Sequence, residues 1–249
     1  MEVESSSPKK PQDYDSEEEI QAYQEEIQFC FKPERNVPVS LLSISALKSN
    51  IIGIATSGHA SAYLLAKLPA NATCIGYIYN EPMKLAEIYG TEDNSATYVV
   101  FEITLPPTIY FEFSRFFFEK FTAPKVVVLD AIHPNALPVF PRDKVDLPVL
   151  RSVVTTKGKG SQTICKPLED ACPVRGVSGD VVSYCEIHGM HAELYLLLPS
   201  DYDIIVEDIL LYESVAQQNK ELSKEIDKKQ LGSMVTRVSA RNIAKDLYL

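Results

Sequence analysis

Residues 54–59, Ile-Ala-Thr-Ser-Gly-His, are the first segment whose residue types could support chemistry. They follow a β-branched apolar run and precede a helical pattern, so their backbone amides could surround an anion at a helix N-terminus. The segment lacks Lys and matches neither the G-x-G-x-x-G nor the Walker A pattern, and Ser57 does not lie in a G-x-S-x-G elbow. A strand-to-helix turn that uses the conformational freedom of Gly58 is therefore the favoured interpretation.

Two further groups could hold a metal ion or transfer a proton. Cys185, His188 and His191 are three residues apart, and positions i and i+3 share one face of a helix. A glycine is expected to end that helix before His191, and no fourth ligand is evident, so packed or surface side chains are the favoured interpretation. Asp130 and His133 could form an acid–base pair after a strand, but no nucleophile accompanies them. The sequence thus predicts no catalytic residue, no metal and no cofactor.

Charge and hydropathy exclude several classes of partner. The net charge is −10, with no basic stripe and no Trp, so we expect no nucleic-acid partner. No apolar run reaches the ~18–20 residues that span a bilayer, and the N-terminus lacks the pattern of a signal peptide. Five cysteines without a CxxC pair suit reduced, buried thiols. We predict a protein of the cytoplasm, with the nucleus as an alternative, and no membrane partner.

Strand-like and helix-like segments alternate through the middle of the sequence. Strands are predicted at residues 50–56, 73–79, 98–103, 125–129, 149–155 and 192–198. Helices are predicted at residues 59–68, 108–121, 178–188 and 203–216, with N-caps at Thr108, Ser178 and Asp203 and a stop at Gly189. This alternation predicts an α/β fold with a mostly parallel sheet and flanking helices.

The composition also divides the chain. Residues 1–36 are predicted to form a disordered acidic arm, because they cannot bury enough apolar surface to offset chain entropy. Residues 37–218 are predicted to form the α/β domain. Residues 219–249 are predicted to form a flexible charged tail that becomes apolar again only at its end.

The predicted helix at residues 108–121 is unusually rich in phenylalanine, with Phe111, Phe113, Phe116, Phe117, Phe118 and Phe121. Successive helical residues are ~100° apart, so Phe116, Phe117 and Phe118 span ~200° and cannot share one face. Some rings must therefore face a second element or a partner. Burial of all six within one domain and a partner contact both remain open.

Residues 180–188 (DVVSYCEIH), residues 192–196 (AELYL) and the apolar segment 203–212 form a helix–strand–helix block. This block resembles the proteasome assembly chaperone 1 family, which has a similar LSYC helix, LYL strand and apolar C-terminal helix. Residues 51–55, the pair Leu64-Leu65 and the segment 79–81 (YNE) are also similar, and the resemblance covers about residues 37–218. It implies a fold like that of nucleoside phosphorylases, without their active site.

The last three residues, Leu247, Tyr248 and Leu249, have the hydrophobic–Tyr–any-residue (HbYX) pattern with which this family and several proteasome activators end. A terminal carboxylate can pair with a lysine or backbone donors in a cleft, and the Tyr248 ring adds a hydroxyl that can hydrogen-bond. Together with the resemblance upstream, the pattern predicts a docking motif; alone, it would indicate an ordinary frayed terminus. A flexible tail from about Gln230 would span ~25 Å and could extend to ~65–70 Å.

The resemblance also implies the partners. It implies a heterodimer with proteasome assembly chaperone 2, which binds the outer face of the ring of proteasome α-subunits while the 20S core particle assembles. Two alternatives remain open. One is an enzyme related to nucleoside phosphorylases that uses the Ser57-Gly58-His59 turn, and the other is a scaffold protein without a link to the proteasome.

Overall fold

A computed structural model describes residues 29–33, 47–80, 83–103, 105, 107–137, 140–141, 144–160, 164–169, 172–219 and 226–246, with the backbone alone for 241–246. The strands in these ranges are β1 (Phe29–Pro33), β2 (Leu47–Lys48), β3 (Ile51–Ala55), β4 (Ala72–Asn80), β5 (Met83–Thr91), β6 (Ala96–Phe101), β7 (Phe121–Thr122), β8 (Lys125–Ala131), β9 (Val149–Val154) and β10 (His191–Leu198). The α-helices are α1 (Gly58–Lys67), α2 (Tyr110–Lys120), α3 (Val177–Ile187), α4 (Val206–Ile209), α5 (Glu213–Gln218) and α6 (Lys228–Asp246). No helix in the described ranges is both long and apolar enough to cross a membrane.

The main sheet has the strand order β1-β4-β5-β6-β3-β8-β10-β9. Its inner strands β6, β3, β8 and β10 run parallel to one another. The pairs β1–β4, β4–β5, β5–β6 and β10–β9 are antiparallel. Strands β2 and β7 form a separate parallel pair. The parallel strands are nearly continuous apolar runs, which is typical of strands covered on both faces.

The α/β class and the flanking helices are confirmed, but the prediction of a mostly parallel sheet is wrong. Antiparallel pairs outnumber parallel ones in the main sheet that the described residues form. Two of the four antiparallel pairs involve β5, which was not predicted because Glu87 interrupts its apolar pattern. A tight turn with Asn94 at a φ of 55° joins β5 to β6, so β4, β5 and β6 form an antiparallel meander. The likeness to nucleoside phosphorylases stays a prediction.

Helices pack on both faces of the main sheet. On one face, α1, α4, α5 and α6 pack over side chains that include Ala55 and Val127. On the opposite face, α2 and α3 pack over side chains that include Ile54 and Val128. Neighbouring residues of one strand join different faces because side chains alternate along a β-strand.

The structure corrects three predicted helix starts, at Thr108, Ser178 and Asp203. The N-cap residues of α2, α3 and α4 are instead Ile109, Gly176 and Ile205. The last predicted helix is divided into α4, a 3-10 turn at Leu210–Tyr212, and α5. Gly189 follows the end of α3 as predicted, with a φ of 62°.

The N-terminal boundary of the fold lies before the one that we predicted. Strand β1 falls within the segment assigned to the acidic arm, and it pairs with β4 along the edge of the sheet. Its Phe29 ring lies 5.9 Å from Phe113, and its Phe31 ring lies 5.7 Å from Phe121. These aromatic contacts attach β1 to the face that α2 covers. Residues 1–28 lie outside the described residues.

The C-terminal boundary also differs, because α6 occupies most of the predicted flexible tail. Leu231 and Val238 of this helix are buried in the core cluster that includes α1. Met234 and Val235 pack against the same cluster. The prediction followed the charge of this segment and missed the apolar spacing of these four residues, which is that of one helical stripe.

Candidate functional site

The carboxyl ends of the parallel strands β3 and β8 meet in the middle of the main sheet. Strand β3 is followed by α1 on one face, whereas the chain that leaves β8 returns through α3 on the opposite face. Such a divergence between neighbouring parallel strands creates a crevice in which α/β proteins commonly bind ligands. Thr56 and Ser57 follow β3, and Asp130 lies one residue before the end of β8. The crevice therefore brings three polar side chains together.

Asp130 is buried, with 7% of its surface exposed. One carboxyl oxygen accepts a hydrogen bond from the Ser178 hydroxyl, and the other accepts one from the Ala131 N–H at 2.8 Å. Burial raises the pKa of Asp130 because the charged form loses its hydration, and hydrogen bonds from Ser178 and Thr56 oppose this only in part. The folded protein therefore favours the protonated carboxyl group more than the unfolded chain does.

Two helices begin beside this carboxyl group. Ser57 is the N-cap of α1, where its hydroxyl accepts a hydrogen bond from the Ala60 N–H at 3.4 Å. Ser178 lies in the first turn of α3. Helix N-termini attract negative charge, and here a carboxyl group of the chain itself occupies the position that an oxyanion would take. Because Asp130 is enclosed and bonded within the chain, the arrangement joins β8 to α3 and offers no accessible base to a substrate.

The Ser57-Gly58-His59 segment forms the predicted strand-to-helix turn between β3 and α1. The His59 ring is buried, and its Nε2 lies 3.2 Å from the carbonyl oxygen of Asp203. Burial lowers the pKa of His59, so at neutral pH the ring is uncharged and Nε2 donates to that carbonyl. Ser57 and His59 thus both have structural roles, which favours a structural turn over the enzymatic alternative.

The predicted acid–base pair, Asp130 and His133, has separate partners. The His133 ring stacks on Tyr202 with 3.8 Å between the ring centroids. Its Nδ1 accepts a hydrogen bond from the Asn135 N–H at 3.2 Å. The carboxyl group of Asp130 is bonded to Ser178 instead. These contacts give no support to proton transfer between the two side chains.

The suggested metal-binding trio also has separate environments. Cys185 is buried, and burial raises the pKa of its thiol to about 12. His188 is exposed after the end of α3, with its ring 4.1 Å from Tyr184. His191 Nε2 lies 3.0 Å from Glu193 Oε1. Among the described residues, no group of three or more His, Cys, Asp or Glu side chains could hold a metal ion.

Sequence reasoning missed a buried polar group around Glu193 of β10. Glu193 Oε1 accepts from Lys125 Nζ at 2.9 Å, and Oε2 accepts from the Tyr195 hydroxyl at 3.0 Å. Burial opposes ionisation of Glu193, but Lys125 and the other donors hold its pKa below the ordinary value. Glu193 is the single acidic residue in the apolar run AELYLLL, and this pattern could have indicated the group. An acid within a buried strand requires a cationic partner if it is to stay ionised.

A second missed group surrounds Glu87 of β5. The Tyr89 hydroxyl donates to its carboxylate at 2.7 Å, Lys84 Nζ lies at 3.1 Å, and Arg237 of α6 approaches to 4.0 Å. Burial opposes ionisation, but hydrogen bonds from Tyr89, Glu102 and Lys84 hold the pKa of Glu87 at about 2. This group places a charged residue of α6 beside the sheet.

The outer surface of α2 and α3 carries exposed apolar side chains. Phe111 is 50% exposed and Ile187 is 75% exposed. The half-buried Tyr184 ring lies 6.3 Å from Phe111 and 5.1 Å from Phe118. Four of the predicted rings are buried, Phe116 is half-buried and Phe111 is exposed, so the alternative with all six buried is wrong. A partner contact through Phe111 stays a prediction.

The predicted docking residues Leu247, Tyr248 and Leu249 lie outside the described residues. Helix α6 ends at Asp246, immediately before them in the sequence. The structure therefore describes the element that leads to the tripeptide, and the predicted docking contact remains to be tested by experiment.

Solved structures show that other proteins share this fold. A protein of unknown function from Thermoplasma acidophilum has a TM-score of 0.65 and 12% identity, over 86% of this chain and 97% of its own. PbaA from Pyrococcus furiosus, an archaeal homolog of proteasome-assembly chaperone, has a TM-score of 0.58 and 18% identity, over 81% of this chain and 95% of its own. PbaB from the same organism, an archaeal proteasome activator, has a TM-score of 0.56 and 14% identity, over 90% of this chain and 99% of its own.

At these identities the similarity establishes a shared fold and nothing further. No family model matches the sequence, and no curated protein matches it.

Proposed function

We propose that this chain is a non-catalytic chaperone of 20S proteasome assembly. The observation that carries the proposal is the fold shared with PbaA and PbaB over nearly the full length of those chains. The helix–strand–helix block that resembles proteasome assembly chaperone 1 corresponds to α3, β10 and α4 of this fold. Fold and sequence thus support the same class of function independently.

The proposed mode of action has two contacts. The α/β domain forms a heterodimer with proteasome assembly chaperone 2, and the pair binds the outer face of the α-ring in the cytoplasm or nucleus. Leu247, Tyr248 and Leu249 dock in a pocket between α-subunits. Burial of Leu247 contributes at most ~2–3 kcal/mol, so a single tripeptide binds weakly, and the second contact is needed for avidity.

Substitution of the tripeptide tests the docking contact. Tyr248→Ala removes a rigid aromatic anchor and is expected to weaken binding to proteasome α-subunits by ~1–3 kcal/mol, or ~5–150-fold. Deletion of residues 247–249 should weaken binding at least as much. Leu249→Ala is the matched control with a smaller effect, because the pattern accepts any residue there. Binding is measured by biolayer interferometry on the purified heterodimer, and unchanged binding after the deletion would contradict the docking proposal.

The heterodimer has a test of its own. The chain is mixed with proteasome assembly chaperone 2 at micromolar concentration and separated by size-exclusion chromatography with light scattering. A stable one-to-one complex is expected. Elution of the chain as a monodisperse monomer, separate from the second protein, would contradict this part of the proposal.

A further inference from the structure

The outer surface of α2 and α3 carries a continuous line of side chains, the Phe111 strip, which consists of Phe111, Tyr184, Ile187 and His188. The Phe111 and Tyr184 rings lie 6.3 Å apart across the two helices. The Tyr184 ring lies 4.1 Å from the His188 ring. Ile187 follows Tyr184 by three residues and therefore lies on the same side of α3. The strip thus extends from α2 to the C-terminal end of α3.

The Phe111 strip differs from single exposed side chains such as Tyr202, which are ordinary on a protein surface. Phe111 is 50% exposed and Ile187 is 75% exposed, and the Tyr184 ring connects them. Beneath the strip, the buried Phe118 ring stacks on Tyr184 at 5.1 Å. Clustered aromatic and aliphatic side chains on a rigid base are typical of the centre of a protein–protein interface.

The end of the strip near the start of α3 is acidic. Asp180 lies one helical turn before Tyr184, and its carboxylate accepts a hydrogen bond from the Ser114 hydroxyl at 2.6 Å. Burial raises the pKa of Asp180, the bond from Ser114 lowers it, and the nearby charge of Glu112 raises it further. Two carboxyl groups, those of Glu112 and Asp180, therefore lie together at this end.

The opposite end of the strip is basic. The Thr156 N–H donates to the Glu186 carboxylate at 2.6 Å, which places the short 3-10 turn Thr156–Gly158 beside the C-terminal end of α3. Lys157 and Lys159 are both exposed at this turn. The hydrogen bond from Thr156 and the charge of Lys159 lower the pKa of Glu186, so one acid is already compensated here. The apolar strip therefore has opposite charges at its two ends.

We propose that the Phe111 strip is the surface through which this chain binds proteasome assembly chaperone 2. The inference rests on the proposed function for the identity of the partner, and it assigns the chemistry of the partner's surface. That surface is apolar at its centre, with a basic side chain opposite Glu112 and Asp180 and an acidic side chain opposite Lys157 and Lys159. A two-fold pair of this chain would also bring opposite ends together, but the net charge of −10 on each copy disfavours it.

The first test introduces a carboxylate at the centre of the strip. Ile187→Asp and Phe111→Asp should each weaken binding to proteasome assembly chaperone 2 at least ~30-fold in biolayer interferometry, because the contact would bury an unpaired charge. Tyr202→Asp is the matched control, since it makes the same change at an exposed ring away from the strip, and it should bind within ~2-fold of the parent. All three residues are exposed, so the urea-unfolding midpoints should remain parental. Parental affinity in both strip variants would overturn the inference.

The second test examines the basic end of the strip. Replacement of both Lys157 and Lys159 by Glu should weaken binding ~10-fold at about 0.05 M salt and less than ~3-fold at about 0.5 M, because salt screens exposed charges. Replacement of both Lys228 and Lys229 by Glu makes the same change on α6, on the opposite face of the sheet, and should have an effect within ~2-fold. Equal losses in the two double variants would overturn the assigned charge pattern.

A third measurement requires no substitution. Hydroxyl-radical oxidation followed by mass spectrometry reports the solvent access of individual side chains in the chain alone and in the complex. Oxidation of Phe111, Tyr184 and Ile187 should decrease in the complex, whereas that of Tyr202 should not change. Protection elsewhere with unchanged oxidation of the strip would overturn the inference.

The outcomes separate this inference from the proposed heterodimer. If the parent forms the one-to-one complex and the strip variants bind equally well, the heterodimer stands and only the assigned surface fails. If the parent forms no complex, the heterodimer fails and the assigned surface fails with it. If light scattering shows that the chain alone is a dimer that Ile187→Asp dissociates, the strip binds a second copy and the assigned partner is wrong.

Discussion

Replacement of Asp130 by Asn tests the electrostatics of the crevice between β3 and β8. The amide has nearly the shape of the carboxyl group, so its oxygen can continue to accept from the Ala131 N–H. Its NH2 group can donate to the Ser178 hydroxyl, which reverses the direction of the present hydrogen bond. The change therefore removes the titratable group while it retains both contacts.

The expected effect follows from the direction of the pKa shift. Burial raises the pKa of Asp130, so its contribution to stability is fully present below the unfolded-state pKa of about 3.9. That contribution is lost as the pH rises through the folded-state pKa, since the charged form must then be buried. Each unit by which the pKa is raised corresponds to ~1.4 kcal/mol. Asp130→Asn is thus expected to match the parent near pH 4 and to be more stable than the parent at pH 8.

The assay is urea unfolding at pH 4, 6 and 8, followed by far-UV circular dichroism because the chain has no Trp. The matched control is Asp130→Ala, which leaves the buried Ser178 hydroxyl and the Ala131 N–H unpaired. This control should be ~2–4 kcal/mol less stable than Asp130→Asn at every pH. If the parent instead gains stability over Asp130→Asn as the pH rises, the two helix N-termini stabilise an ionised carboxylate and the reasoning is wrong.

Three further changes test the packing. Phe113→Ala should destabilise the protein by ~3–5 kcal/mol in urea unfolding because its ring is fully buried, whereas Phe111→Ala on the same helix should cost less than ~1 kcal/mol; equal effects would contradict the assigned orientation of α2. Cys185 is buried and its thiol has a pKa of about 12, so it should not react with iodoacetamide at pH 8 until denaturant is added. Alkylation of Cys185 in the native protein, detected by mass spectrometry, would contradict its burial. Lys67→Met should lower the free energy of unfolding by ~1–2 kcal/mol, because it removes the 2%-exposed ammonium group that lies 2.8 Å from the Glu213 carboxylate. The cost is limited because Glu213 is only partly buried, and an unchanged free energy of unfolding would show that the ion pair is dispensable.

The sequence predicts the central elements of this fold well and its edges poorly. Strands β3, β8 and β10 were predicted because strands buried on both faces are continuous apolar runs. Strand β5 was missed because Glu87 interrupts its apolar pattern, and the groups that stabilise this carboxylate, Tyr89 and Lys84 of β5 and Arg237 of α6, come together only in the folded protein. Helix α6 was missed for a related reason, since its stripe is stable only against α1. Elements that depend on tertiary contacts in this way are not evident from local patterns.

The contacts of the candidate site in the crevice also depend on tertiary structure and could not be predicted from local sequence patterns. Asp130 and Ser178 are 48 residues apart, and nothing local to either indicates that they bond. Sequence spacing suggested His133 as the partner of Asp130 because it lies three residues away, yet the fold pairs His133 with Tyr202. Proximity in the sequence is informative for helix faces and turns, but not for side chains at the ends of different strands.

The crevice between β3 and β8 is already filled by groups of the chain itself. In many α/β proteins the crevice at the strand ends binds the ligand, and the helix N-termini beside it supply the attraction for an anion. Here a carboxyl group of the chain fills that position, and His59 is bonded to a backbone carbonyl. An external anion would have to displace a buried group that already has its hydrogen bonds, which removes most of the gain from binding. Recognition of a partner is then better served by surface elements, and α6 leads directly to the tripeptide proposed for that role.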